Sequence, residues 1–277
     1  MKYATYAEYD PKGMALAVPG LLTVWAGIQR LRDELVLVGG LVPHFICTHP
    51  PSNDRFPRPG TLDVDIGIAI GASSGQYPGL QSELQGQGFR LNGDRFEKKV
   101  GLYTLYVDFL VEDPRGRRGA IPVDDVPANV MPGIDRALAT ARQQAVSGID
   151  LLGAKQNFTI PICEVGPFLA LKLRAFGSRQ APKDAFDVLY TLLHYDGGTD
   201  AAIAAFGTEV QVGNTAMPDA ITCLKNFFQH EDSPAPVRAA HFVHGEIDAG
   251  EVEDIRTARL QIQQDVVTLG RTLLAAI

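Results

Sequence analysis

The chain has 277 residues, 45% hydrophobic and 21% charged, the balance of a globular protein with enough length for one large domain or two small ones. Its net charge of −7 excludes a bulk field for DNA, RNA or anionic lipid, so nucleic-acid contact would need a local patch; Arg115, Arg117, Arg118 and the pair Lys98–Lys99 are the compact candidates. Cys47, Cys163 and Cys223 fit neither a zinc spacing nor a disulfide framework, and no leader-like segment or stretch of transmembrane length is expected, so the reading is a cytoplasmic protein with reduced, buried thiols and no membrane association.

Residues 1–15 read as a loose arm. Leu21, Trp25, Ile28 and Leu31 recur at helical spacing and predict a helix over 21–32. Leu35 to Val38 is a short buried strand running into Gly39–Gly40, and 41–47 begins a helix with Pro43 in its first turn. After a proline-rich loop over 48–60 comes TLDVDIGIAI (61–70), which alternates at period two. Its aliphatics Leu62, Val64, Ile66, Ile68 and Ile70 share one face; Asp63, Asp65, Gly67 and Ala69 share the other, and the two small residues are expected to leave room for a ligand. A short helix over 80–87 and a hairpin over 89–99 around Asn92-Gly93 follow. Residues 102–111 form a further strand, on which Asp108 is the one carboxylate of its face. A proline-bearing connector (122–132), an amphipathic helix (134–145) and an edge strand (157–163, carrying Pro161) complete a mixed region. From 167 the pattern is helical: 167–176, 183–194, 218–229, 237–243 and a final helix over 248–276. The expected fold is therefore α/β (α+β), a small mixed twisted sheet flanked by helices over 1–164, followed by a helical C-terminal domain over 165–277.

Two carboxylates on neighbouring same-face strand positions repel, and a divalent cation is the usual reason for keeping them together. Mg²⁺ (or Mn²⁺) takes carboxylate oxygens and completes its shell with water and substrate phosphates. If Asp108 stands beside Asp63 and Asp65, three carboxylates can hold metal, position a triphosphate and activate an attacking hydroxyl, with Asp108 as ligand or general base. A Gly-Gly turn at a strand end lets backbone N–H groups approach phosphate, although such a turn also occurs for purely structural reasons. Histidines His44 and His49 stand at no metal-ligand spacing. The acidic run over 246–254 reads as a solvated helix start.

A strand ending in Gly-Gly, a helix, then T-L-D-V-D-I, then an apolar strand with one more Asp resembles the DNA polymerase β-like nucleotidyltransferase superfamily. FLALKLRAFGSRQAPKDAFDVLYTLL (168–193) narrows the resemblance to the AbiEii-type nucleotidyltransferases, many of them toxins of bacterial toxin–antitoxin pairs. The resemblance implies that Gly39 and Gly40 contact the triphosphate, that Asp63, Asp65 and Asp108 bind metal, that Lys172 and Lys183 meet nucleotide phosphates, and that Asp187, with Asp184, completes the K/R-D-x-x-D motif as a catalytic acid. It further implies Mg²⁺, a nucleoside triphosphate, an RNA (such as a tRNA end) or protein acceptor, an antitoxin protein as partner, and a cleft in which Lys172, Lys183 and Asp187 face the three carboxylates. The chain departs from the pattern at Leu41, where the family often has a hydroxyl residue or alanine, and in the long loop over 48–60.

Read without the family, Phe168, Lys172 and Phe176 lie on one helix face and the lysine needs an anion, unless it snorkels at the core edge. Lys183 and Asp187 are an i,i+4 pair that an ordinary helix salt bridge explains, and Asp184 suits a helix start. Two other classes stay open: a metal-dependent phosphodiesterase or nuclease using the same carboxylates, and a non-catalytic binding protein on the same scaffold.

Overall fold

The alternating run folds as a strand, β2, the middle of a mixed open sheet. The computed structural model describes residues 3–50, 56–69, 79–246 and 253–277. The expected Ile70 strand end, the loop over 71–78, part of the proline-rich loop (51–55) and the start of the final helix with most of its acidic run (247–252) lie outside the described residues. The fold is mixed α/β with a C-terminal helical part. The chain forms two compact units: one of Pro11–Phe45 and Thr61–Glu164, the other of Met1–Asp10, Ile46–Gly60 and Val165–Ile277.

The first unit holds the sheet. Its elements are α1 (Pro11–Met14), α2 (Ala17–Ile28), β1 (Leu35–Val38), α3 (Pro43–Ile46), β2 (Asp63–Ile68), α4 (Leu80–Gly86), β3 (Arg90–Asn92), β4 (Arg95–Val100), β5 (Tyr103–Val111), β6 (Ala120–Val123), β7 (Val126–Val130), α5 (Ile134–Ala139), β8 (Arg142–Ile149) and β9 (Lys155–Ile162). The strand order is β3-β4-β5-β2-β1-β9-β8, and β7 pairs with both β5 and β6. Strand β2 is antiparallel to β1 and parallel to β5. One face of the sheet is wholly apolar: Leu35, Leu37, Val64, Ile66, Ile68, Leu105, Val107, Phe109 and Val111 are buried. Helix α2 packs on it so closely that a Cβ at Gly20 would stand 2.4 Å from Leu105 Cδ2.

Several expectations change. The stretch Pro11–Ile28 does have the length and hydropathy to cross a membrane, but half of it is buried within the fold. The arm contains a 3-10 turn (Tyr6–Glu8) in which Thr5 N–H donates to Glu8 Oε2 at 2.7 Å. The connector over 122–132 falls largely within the hairpin β6–β7, which turns at Asp124 (φ +50) and Asp125. The helix expected over 134–145 stops at Ala139, and β8 begins at Arg142, pairing along its length with β9. Strand β9 lies between β8 and β1 rather than at the sheet edge; Pro161 is tolerated because parallel pairing to β1 is confined to Leu37↔Ile162, next to which Cys163 N–H donates to Leu37 O. Gly67 leaves room for protein, not ligand: a Cβ there would meet Val36 Cγ1 at 2.8 Å and Ile134 Cγ2, on α5, at 3.1 Å.

The second unit comprises α6 (Val165–Arg179), α7 (Pro182–His194), α8 (Thr199–Gln211), α9 (Met217–Phe227), α10 (Pro234–His244) and α11 (Glu253–Ala275). Phe168, Phe176, Phe186, Tyr190, Phe206, Phe228 and Phe242 fill its core. Segments from earlier in the chain join it: Tyr9 stacks edge-on against Phe242 at 6.0 Å and Phe56 against Phe186 at 6.1 Å. Cys47, Cys163 and Cys223 are buried and unbridged.

Candidate active site

Strand pairing brings the three sheet carboxylates to one face. Residues paired across parallel strands project to the same side. Asp65 is opposite Asp108 and Asp63 opposite Tyr106, while Asp63 and Asp65 share a face by alternation. On the other side of β2, Val38 pairs with Asp65, so the turn after β1 passes directly over that carboxylate. Gly39 there has φ +74, a conformation glycine adopts without penalty, and a Cβ would fall 1.8 Å from Asp65 Oδ2. Glycine is thus required at position 39 by the close approach of backbone to carboxylate. Gly40 is buried in the 3-10 turn Gly39–Leu41 that follows, and Leu41 is buried in the same turn.

A fourth residue, which the sequence reading overlooked, completes this cluster. Phe96 is opposite Val107 in the β4–β5 hairpin, so the preceding Arg95 comes alongside Asp108. Arg95 Nη2 donates to Asp108 Oδ2 at 2.7 Å and to Asp63 Oδ1 at 2.9 Å, and the guanidinium lies over the Tyr106 ring at 4.0 Å. Finding it needs the β4–β5 register: the short connection at Gly101–Leu102 sets Val100 opposite Tyr103 and so carries Arg95 to Asp108. Burial pushes Asp108 up to about 7; Asp65 adds to the rise and Arg95 opposes it. On Arg95, burial works against the charge, but Asp108 and Asp63 outweigh it and hold the guanidinium above its ordinary value.

Among the described residues no three acidic, histidine or cysteine side chains stand ready-made as a metal-holding group. At this cluster the guanidinium engages oxygens of Asp63 and Asp108. The donor set itself fits a hard divalent ion: three carboxylates on one face, two of them already bridged by one cationic nitrogen.

The helical unit gathers the other predicted residues. Helix α7 starts with Pro182 at its first position and Asp184 in its first turn. Asp187 accepts from Lys172 Nζ at 2.6 Å and from Lys183 Nζ at 2.7 Å. Asp184 accepts from Arg179 Nε at 2.6 Å and from Lys172 Nζ at 3.3 Å. Lys172, Lys183, Asp184 and Asp187 are all buried. Lys172 therefore does not snorkel; its anion is internal, and its Nζ stands 5.8 Å from the Phe168 ring. Burial disfavours the charge on both lysines. Asp187 and Asp184 more than offset this for Lys172, whose pKa is raised, whereas Lys183, also facing Lys172, ends lowered. Of the basic candidates, Arg117 closes on Asp113 at 2.7 Å and Lys98 donates to Gln87 O at 2.5 Å, while Arg115, Arg118 and Lys99 are exposed.

No family model matches the chain, and no curated protein matches it. The functional reading is carried by its residues.

Proposed function

We propose that the protein is a Mg²⁺-dependent nucleotidyltransferase that moves a nucleoside monophosphate from a nucleoside triphosphate to a hydroxyl of an RNA or protein acceptor. The observation that carries the proposal is the convergence of Asp63, Asp65 and Asp108 on one sheet face beside the Gly39–Gly40 turn. The acceptor oxygen attacks the α-phosphorus, the bond to pyrophosphate breaks, and the acceptor proton goes to a carboxylate. Asp108, half-buried and with a proton affinity near neutrality, suits that role. Asp63, Asp65 and Asp108 would hold Mg²⁺ or Mn²⁺, which neutralises polyphosphate charge and acidifies the attacking hydroxyl when bound. By the resemblance, the turn at Gly39 and Gly40, which lies against Asp65, would contact the triphosphate. By the family resemblance, an antitoxin protein would be the regulatory partner.

The test is to incubate the protein with each labelled nucleoside triphosphate, Mg²⁺, and total RNA or cell protein. Label is expected in one fraction with pyrophosphate released, and Asp63→Asn should lower the rate by several orders of magnitude through loss of a metal ligand. Label in neither fraction counts against the transferase. Hydrolysis of phosphodiesters without pyrophosphate would identify the phosphodiesterase instead.

Arg95 favours a second reading, a non-catalytic binding protein in which an arginine has taken the metal's place. On that reading Asp63→Asn leaves the protein's biological effect intact. The resemblance also assigns Lys172 and Lys183 to nucleotide phosphates and Asp187 to catalysis; the burial of all three supports a structural lock between α6 and α7 instead.

A further inference from the structure

We propose that Arg95 is the built-in counter-cation of the carboxylate cluster, and that a divalent metal binds there only by displacing it. The inference rests on the reading of Asp63, Asp65 and Asp108 as metal ligands. Three features point to a guanidinium that holds the cluster without locking it. First, a single nitrogen, Nη2, makes both ion pairs, at 2.7 and 2.9 Å. The fork geometry that makes arginine–carboxylate pairs strong is absent, and Arg95 Nε is buried with no hydrogen-bond partner. Second, the guanidinium rests on the Tyr106 ring at 4.0 Å, an aromatic face over which it can slide without leaving its cation–π contact. Third, Arg95 directly follows the Gly93–Asp94 turn on a hairpin whose outer strand, β3, is exposed throughout, so its path outward is along the sheet rim.

The charges fit the same account. Asp63, Asp65 and Asp108 crowd one face, and without a cation their mutual repulsion would splay the strands. Arg95 supplies one positive charge between two of the three, leaving an anionic excess that a divalent ion satisfies better. Guanidinium and metal compete for Asp63 Oδ1 and Asp108 Oδ2, so metal affinity in the wild-type chain is lowered by the strength of the Arg95 pairs. The residue thus keeps the cluster folded when metal is scarce and sets the concentration at which the site loads.

The experiment uses the full chain stripped with EDTA, comparing wild type with Arg95→Gln and Arg95→Lys. Mn²⁺ binding is followed by calorimetry and by the spectrum of free Mn²⁺, and melting is followed with and without Mn²⁺. Arg95→Gln should bind Mn²⁺ about tenfold tighter or more, and should melt lower than wild type in EDTA but recover on adding Mn²⁺, whereas Arg95→Lys should keep affinity close to wild type. Wild type and Arg95→Gln binding Mn²⁺ equally tightly overturns the inference and leaves the transferase reading standing. Neither binding Mn²⁺ overturns both. As a readout independent of variant folding, the Arg95 side-chain ¹⁵N signal of wild type should move on Mg²⁺ titration; a bound ion with that signal unmoved overturns the inference.

Discussion

Asp108 holds the least comfortable charge of the sheet cluster, with 19% of its side chain exposed, Asp65 across the strand pair, and one guanidinium for relief. Its pKa is raised from 3.8 to about 7, burial being the larger cause. A carboxyl raised in this way binds more protons folded than unfolded between those values, so stability should fall as pH rises from about 4 to about 7. Chemical denaturation of the EDTA-treated protein across that range should show the fall, and Asp108→Asn should flatten it. The location of this residue was readable: alternation put Asp63 and Asp65 on one face, and the lone acid of the later strand had one natural place beside them. What alternation could not supply was Arg95, because a charged residue at a hairpin end reads as solvated until the register is known. Gly67 misled for a related reason, since the sequence shows an absent side chain but not which neighbours, here Val36 and Ile134, take the space.

The elements most legible in the sequence were those whose pattern and burial agree, such as β1, β2, β5 and the aromatic-bearing helices. Strand β8 was hidden because it is the sheet edge; with only Val146 and Asp150 of its neighbourhood buried, its outward residues carry no period-two signal and Arg142 to Ala145 extend a helical one. Helix α8 was missed because its alanines and exposed polar residues leave a thin apolar stripe, Ala202 and Phe206. The α6–α7 pair shows the converse, in which a motif suggestive of chemistry is folded into the interior. Asp187 neutralises Lys172 and Lys183 there, and no solvent replaces it. Asp187→Asn should cost roughly 3–5 kcal/mol, the penalty for breaking a buried pair and leaving charge uncompensated. Equilibrium denaturation checks this; an unchanged midpoint with lost transferase activity would return Asp187 to a catalytic role.

The molecular division is not the simple one that the sequence suggests. The predicted pattern turns from mixed α/β to helical near residue 165; the chain passes between the two units after Glu164 and also after Asp10, Phe45 and Gly60. Tyr9 and Phe56, remote in sequence, complete the aromatic core of the helical unit against Phe242 and Phe186. No local periodicity encodes such returns, because they depend on shape met only in the folded state. A fragment comprising 165–277 should therefore melt well below the same helices in the full chain, or remain partly unfolded, as followed by circular dichroism. A fragment as stable as the parent would mean that the early segments add nothing.

The same threading sets an order of events at the ribosome. Every strand among the described residues is in hand once Glu164 has been synthesised, so the sheet can close while translation continues. The Phe242 and Phe186 rings that meet Tyr9 and Phe56 emerge only later, with α10 and α7, an interval in which a nascent-chain chaperone would find the waiting aromatic core incomplete.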